Sequence, residues 1–177
     1  MSNGAIYHAF GSRAGLVGNV WLRAAEQFLA VQREVVDGAL SGSAGREAAV
    51  EAVVAAADTP ARFLLDHPVR GRFLLTVSRH ELLGSDDLPA DLDRALRSLD
   101  STLVKLFIDL SHAVWSRADA GAVSVIRDCV VELPTALLLR GNRTPEPDVR
   151  FRLAAAVRAV LSIPPPEPRH EQRSTDQ

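Results

Sequence analysis

Six leucines recur at alternating four- and three-residue intervals in the second half of the chain. They are Leu92, Leu96, Leu99, Leu103, Leu106 and Leu110. This spacing places all six on one stripe of an α-helix, whereas a β-strand turns successive side chains to opposite faces. Such a stripe is more typical of one wall of a helical bundle than of a free coiled coil, which has the same spacing. We therefore predict a helix that faces a core.

Helical spacing extends through the rest of the sequence, and no segment alternates like a strand. The predicted helices run approximately over 2–9, 14–40, 46–66, 69–83, 89–114, 119–140 and 145–162. Pro60 either starts a new helix or kinks the one it lies in, and Pro134 should kink its helix. In the second helix, the predicted buried stripe is Leu16, Val20, Ala24, Phe28, Val31 and Val35. The predicted fold class is all-α.

The amino-acid composition narrows the possible class of protein further. Hydrophobic residues make up 47% of the chain but aromatic residues only 5%, so the core should be aliphatic. The net charge of −2 offers no general attraction to nucleic acid or to an anionic membrane. No apolar run is long enough for a membrane span, and no signal segment is recognised. With Cys129 as the single cysteine, an intrachain disulfide is excluded, and a cytoplasmic location fits best.

The chain carries no recognisable catalytic motif. In Gly11-Ser12-Arg13-Ala14-Gly15 the serine stands one place too early for a nucleophile elbow, and there is no phosphate-binding loop. The histidines lack ligand spacing, and Cys129 is interpreted as a small buried hydrophobe. The run Arg79-His80-Glu81 either borders a cavity or forms a solvated helix face, and we favour the solvated face. We expect no enzyme activity, no metal and no cofactor.

The first seventeen residues contain a more specific pattern. Ser2-Asn3-Gly4-Ala5-Ile6-Tyr7-His8-Ala9-Phe10 is followed by a short turn, Arg13 and the apolar pair Leu16-Val17. This order resembles the recognition helix and following turn of the TetR family of bacterial transcriptional repressors. Near the other end, the segment Leu133 to Gly141 (LPTALLLRG) and the alanine-rich last helix resemble that family's dimerisation helices. One departure is Ala9, where the family often has an aromatic residue or histidine.

The resemblance implies a set of DNA contacts at the start of the chain. Small residues would let the helix approach base edges in the major groove, while amides and polar side chains would contact phosphates. The candidate DNA-binding residues are Ser2, Asn3, Gly4, Ala5, Tyr7, His8 and Arg13. Residues 1–22 would then be a remnant of a helix-turn-helix domain, with Ile6 and Phe10 anchoring it.

The resemblance also implies a ligand-binding and dimerisation domain over residues 23–163. Residues 164–177 combine prolines with charges of both signs and have almost nothing apolar to bury, so they are predicted to be a disordered tail. A small apolar effector would bind in the helical core and release operator DNA. The chain would form a homodimer through its last two helices, at 119–140 and 148–163. Candidate ligand-lining residues are Phe28, Phe63, Phe73, Phe107 and Trp115, although plain core positions are the alternative for each.

In that family the recognition helix is the third of its domain, whereas this sequence begins almost at that helix. We therefore expect Met1 to be a misassigned start, and the chain as it stands to bind operator DNA poorly. Other interpretations stay open. A short form can pair with full-length relatives, and a dimeric small-molecule carrier or scaffold needs no DNA contact. A helical hydrolase or lyase would require a polar cluster in the core.

Overall fold

The computed structural model describes residues 12–42, 45–139 and 144–167. Across these ranges it contains seven α-helices and no strand, which confirms the all-α prediction. The helices are α1 (Arg13–Gly42), α2 (Arg46–Asp66), α3 (Pro68–Thr76), α4 (Arg79–Leu83), α5 (Ala90–Trp115), α6 (Ala120–Arg127) and α7 (Pro147–Ser162). Two π-helical segments, Asp128–Glu132 and Thr135–Leu139, follow α6. The helix predicted over 2–9 lies outside the described residues.

The leucine stripe lies on α5 and joins two hydrophobic clusters. Leu106 and Leu110 belong to a major cluster, built mainly from α2, α5, α7 and the first π segment. Leu92 and Leu96 form a minor cluster with Leu82 of α4. The middle leucines, Leu99 and Leu103, are only partly buried. The stripe is therefore one wall of a bundle whose packing changes halfway along.

The buried face of α1 differs from the predicted stripe. Ala24, Gln32 and Val36 are buried, whereas Val20 is 48% exposed, so its prediction as a buried position is wrong. Val31 and Val35 are partly buried. The buried row includes a polar residue, Gln32, that apolar periodicity alone does not select.

Pro60 lies inside α2 rather than at the start of a new helix. A proline has no backbone N–H, so the carbonyl four residues earlier, on Ala56, loses its α-helical partner. The Gln32 side chain replaces that donor, because its Nε2 donates to the Ala56 carbonyl over 3.1 Å. A hydrogen bond from α1 thus satisfies the α2 carbonyl that loses its helical partner at Pro60.

The helix predicted over 69–83 is wrong in one respect, since it divides into α3 and α4. Val77 has extended backbone angles after α3, and Ser78 caps α4 by accepting a hydrogen bond from the Glu81 amide. Trp21 of α1 donates from Nε1 to the Val77 carbonyl over 3.0 Å. The break is therefore held in place by a side chain from another helix.

Pro134 disturbs its helix through hydrogen-bond geometry. The segments on both sides of it are π-helical, and the Leu133 amide donates to the Asp128 carbonyl, five residues earlier. This wider spacing is characteristic of a π-helix, and the kink expected at Pro134 stays a prediction. The two predicted dimerisation helices are present, the first in this mixed geometry and the second as α7.

Two arginine–carboxylate pairs fasten α7 to α2. Arg150 donates twice to Asp58, at 2.8 and 2.6 Å, and Arg158 donates twice to Glu51. After α7, Pro165 is buried and its carbonyl and that of Pro166 accept hydrogen bonds from Arg117. The predicted disordered tail over 164–177 thus begins with residues that pack, and its positions 168–177 lie outside the described residues.

The predicted domain boundary between residues 22 and 23 falls within α1, which is continuous there.

In the part of the chain that the structure describes, no helix has both the length and the apolar character to cross a membrane.

Replacing Gly71 with alanine should destabilise the bundle. A Cβ at Gly71 would lie 3.1 Å from the Leu64 Cα and 2.8 Å from its Cδ2, so α3 would have to move away from α2. At Gly38 of α1 a Cβ meets nothing within 4 Å, and alanine there should stabilise the helix by about 0.5–1 kcal/mol. Urea unfolding should place Gly71→Ala roughly 2 kcal/mol below Gly38→Ala. Equal stabilities would contradict the tight α2–α3 contact.

Candidate ligand-binding cavity

A partly open cavity of about 300 Å³ lies beside the middle of the leucine stripe. Leu99 and Leu103 of α5 form one wall, while α1, α2 and α3 contribute others. The π-helical region closes a further side with Val130, Val131, Pro134, Thr135 and Leu139. With Arg79 of α4, the cavity is therefore built from six regions of the chain, and its lining is mostly aliphatic.

Aromatic side chains form the α1 and α2 sides of this cavity. Phe28 and Phe63 meet edge to face, with ring centroids 5.5 Å apart and planes at 86°. Trp21 lines the same space, and its indole N–H is already occupied by the Val77 carbonyl. These rings offer an apolar surface to a guest without demanding a hydrogen bond from it.

Gln32 supplies a polar group at this apolar lining. Its side chain is buried, with 1% exposure, and its Oε1 has no hydrogen-bond partner among the residues that the structure describes. The Ala56 carbonyl can only accept, so the amide nitrogen has to face it and the oxygen has to face elsewhere. The Pro60 interruption thus fixes the orientation of the Gln32 amide.

Arg79 and Asp100 form the charged part of the lining. Arg79 donates to both carboxylate oxygens of Asp100, at 2.6 and 2.8 Å, and to the Leu96 carbonyl. The hydrogen bonds from Arg79 lower the pKa of Asp100 below its ordinary value. The guanidinium charge is therefore already balanced, although the buried Arg79 Nε has no partner.

The structure brings together two of the five predicted ligand-lining residues. Phe28 and Phe63 line the cavity, whereas Phe73, Phe107 and Trp115 do not. Phe107 is buried in the major cluster, and Trp115 packs against that cluster. Their aromatic type was the basis of the prediction, and it does not distinguish a cavity wall from filled core.

The run Arg79-His80-Glu81 combines both interpretations considered for it. Arg79 lines the cavity, so a wholly solvated face is wrong at that position, while His80 and Glu81 are exposed. Two of the important lining residues, Gln32 and Asp100, were missed. The available signal for Gln32 was an amide residue on the apolar face of α1 combined with a proline inside the helix that packs against it.

Groups with catalytic potential are scarce at this site. Among the described lining residues there is no histidine, cysteine, serine, lysine or glutamate. Cys129 lies in the major cluster, where burial, with a smaller contribution from Asp128, raises its pKa to about 12 and keeps the thiol protonated. No group of His, Cys, Asp and Glu in the described ranges is arranged to hold a metal ion.

The predicted DNA-binding residues Ser2, Asn3, Gly4, Ala5, Tyr7 and His8 lie outside the described residues. Arg13 is described and is exposed at the first position of α1. Just before it, the Ser12 Oγ accepts from the Gly15 amide and donates to the Asp87 carbonyl at 2.7 Å. The start of α1 is thereby capped and attached to the loop before α5.

No family model, no curated protein and no solved structure matches this chain.

Proposed function

We propose that this chain is the effector-binding and dimerising part of a TetR-like transcriptional regulator, and that a small, largely apolar molecule in the cavity controls it. The observation that carries the ligand-binding part is the 300 Å³ cavity with its aliphatic and aromatic lining. Its volume is at the lower end of the roughly 300–1,000 Å³ range of small-molecule sites. The regulatory part is supported by the Ser-x-Gly-x-Ile-Tyr order at positions 2–7.

The outer surface of α7 supports the proposed homodimer. Phe151 is 75% exposed, and Ala155 and Ala159 follow it at four-residue spacing on the exposed side of the helix. Leu137, on the neighbouring second π segment, is 45% exposed. A large aromatic side chain beside small residues is suited to close packing of helices from two protomers.

The π-helical region offers a physical link between effector and dimer. Pro134, Thr135 and Leu139 line the cavity, whereas Leu137 of the same region faces outward. A ligand that binds more tightly to one conformation of these turns would also stabilise one conformation of the proposed dimer interface. This is the differential binding that a population shift between two regulatory states requires.

Filling the cavity should abolish ligand binding. In Leu103→Trp the larger ring occupies the space, whereas Val104→Trp places the same ring at a neighbouring position that is 48% exposed. n-Propylbenzene should raise the melting temperature of the wild type and of Val104→Trp, but not that of Leu103→Trp, because a ligand stabilises only a state that binds it. Equal shifts in all three proteins would place the ligand elsewhere.

Charge on the outer face of α7 should separate the protomers. In sedimentation velocity, Ala155→Glu or Ala159→Glu is expected to give monomers, because each buries an unpaired carboxylate in the proposed interface. Val104→Glu, at an exposed position on α5, should stay dimeric like the wild type. Dimers in both α7 variants would place the interface elsewhere.

The regulatory role is tested by sequencing genomic DNA fragments retained by the protein at about 0.15 M salt. The 177-residue chain should be compared with a form extended to the preceding in-frame start codon. We expect the extended form to enrich specific fragments, and Arg13→Ala to weaken retention uniformly while Arg23→Ala, also exposed on α1, does not. Absence of enrichment in both forms, with ligand binding intact, would favour the small-molecule carrier or scaffold.

A further inference from the structure

Gln32 is one of the residues that line the cavity, and its amide carries a buried hydrogen-bond acceptor that no group in the described part of the chain satisfies. Its nitrogen is held by the Ala56 carbonyl at 3.1 Å, and its Oε1 is buried without a partner. Rotating the amide would leave two carbonyl oxygens facing each other, so the acceptor stays directed away from α2. A buried acceptor without a partner costs free energy, and a guest that carries a donor removes this cost.

The charges at the cavity are balanced before any guest enters. Both terminal nitrogens of Arg79 donate to Asp100, so the two charges pair with each other, although the buried Nε has no partner among the described residues. The remaining surroundings are largely aliphatic and aromatic. An anion or a cation would lose its hydration there without finding an unpaired counter-charge. The lining therefore selects against charged molecules.

We propose that the cavity takes an uncharged, mainly hydrocarbon molecule with one hydroxyl or N–H group, which donates to the Gln32 Oε1. This inference rests on the proposed function of the cavity as an effector site and specifies its ligand class. A volume of about 300 Å³ suits a single substituted ring or a chain of similar bulk. Selectivity then comes from one hydrogen bond in a mainly apolar environment, because an analogue without a donor leaves the Gln32 acceptor unpaired.

Three probes of similar bulk separate the possibilities: 4-propylphenol, which donates, 4-propylanisole, which does not, and 4-propylbenzoate, which is charged. Calorimetric titration of the full chain should show the phenol binding about tenfold more tightly than the anisole, and the benzoate most weakly. Equal affinities for phenol and anisole would overturn the role of Gln32 while leaving the cavity as a binding site. Tightest binding of the benzoate would show that Arg79 selects an anion, and this would also overturn the proposal. No binding of any probe would overturn the proposal together with the ligand-binding part of the proposed function.

Variants then assign the preference to Gln32. Gln32→Met keeps an unbranched side chain of similar length but removes the acceptor, together with the donor to the Ala56 carbonyl, so its phenol and anisole affinities should become equal. Thr135→Val removes a different polar group of the lining at nearly constant volume and should keep the wild-type ratio. Circular dichroism checks that Gln32→Met folds. If Gln32→Met does not fold, the phenol-to-anisole affinity ratios of the wild type and of Thr135→Val provide the test. Loss of the preference for the phenol in Thr135→Val would assign the selecting group to Thr135.

Discussion

The hydrogen bond from the Gln32 amide nitrogen to the Ala56 carbonyl is the contact on which the arrangement of the cavity depends. Pro60 removes one donor from the interior of α2, and a buried carbonyl without a partner is costly. Supplying the donor from α1 fixes how these two long helices meet. It also fixes where the amide oxygen lies, because the oxygen and the nitrogen are held in one plane on the same carbon atom. The interruption of α2 at Pro60 therefore determines both a packing contact between α1 and α2 and the orientation of a polar group at the cavity.

The leucine stripe explains why the cavity forms beside the middle of α5. Its two ends are buried in separate clusters, and its middle pair, Leu99 and Leu103, lines the open space between them. The opposite side is formed by the region around Pro134, whose π-helical turns replace the tighter packing of a regular α-helix. The same region carries an exposed hydrophobic side chain, Leu137. Cavity and outer surface thus share one irregular element, which is a suitable place for a signal to pass between them.

Apolar periodicity was sufficient to predict the helices, since it reports which face of each segment avoids water. It predicted α5 and the two helical regions near the end of the chain. It could not predict the break at Val77, because that break is stabilised by the Trp21 indole from a distant part of the sequence. It also missed Gln32 and Asp100, since a polar side chain on a helix is ordinarily solvated, and the partners that explain these two lie on other helices. Phe28 and Phe63 lie at the cavity, whereas Phe107 has the same residue type and lies in the core.

The central claim is that Gln32 receives a donor from an uncharged guest inside this cavity. Its most direct test is a crystal structure of the chain with 4-propylphenol. The account predicts the ring among Phe28, Phe63 and Leu103, with the hydroxyl oxygen about 2.7 Å from the Gln32 Oε1 and the Gln32 nitrogen still on the Ala56 carbonyl. A phenol bound outside the cavity, or one inside it whose hydroxyl points away from Gln32, would contradict the account.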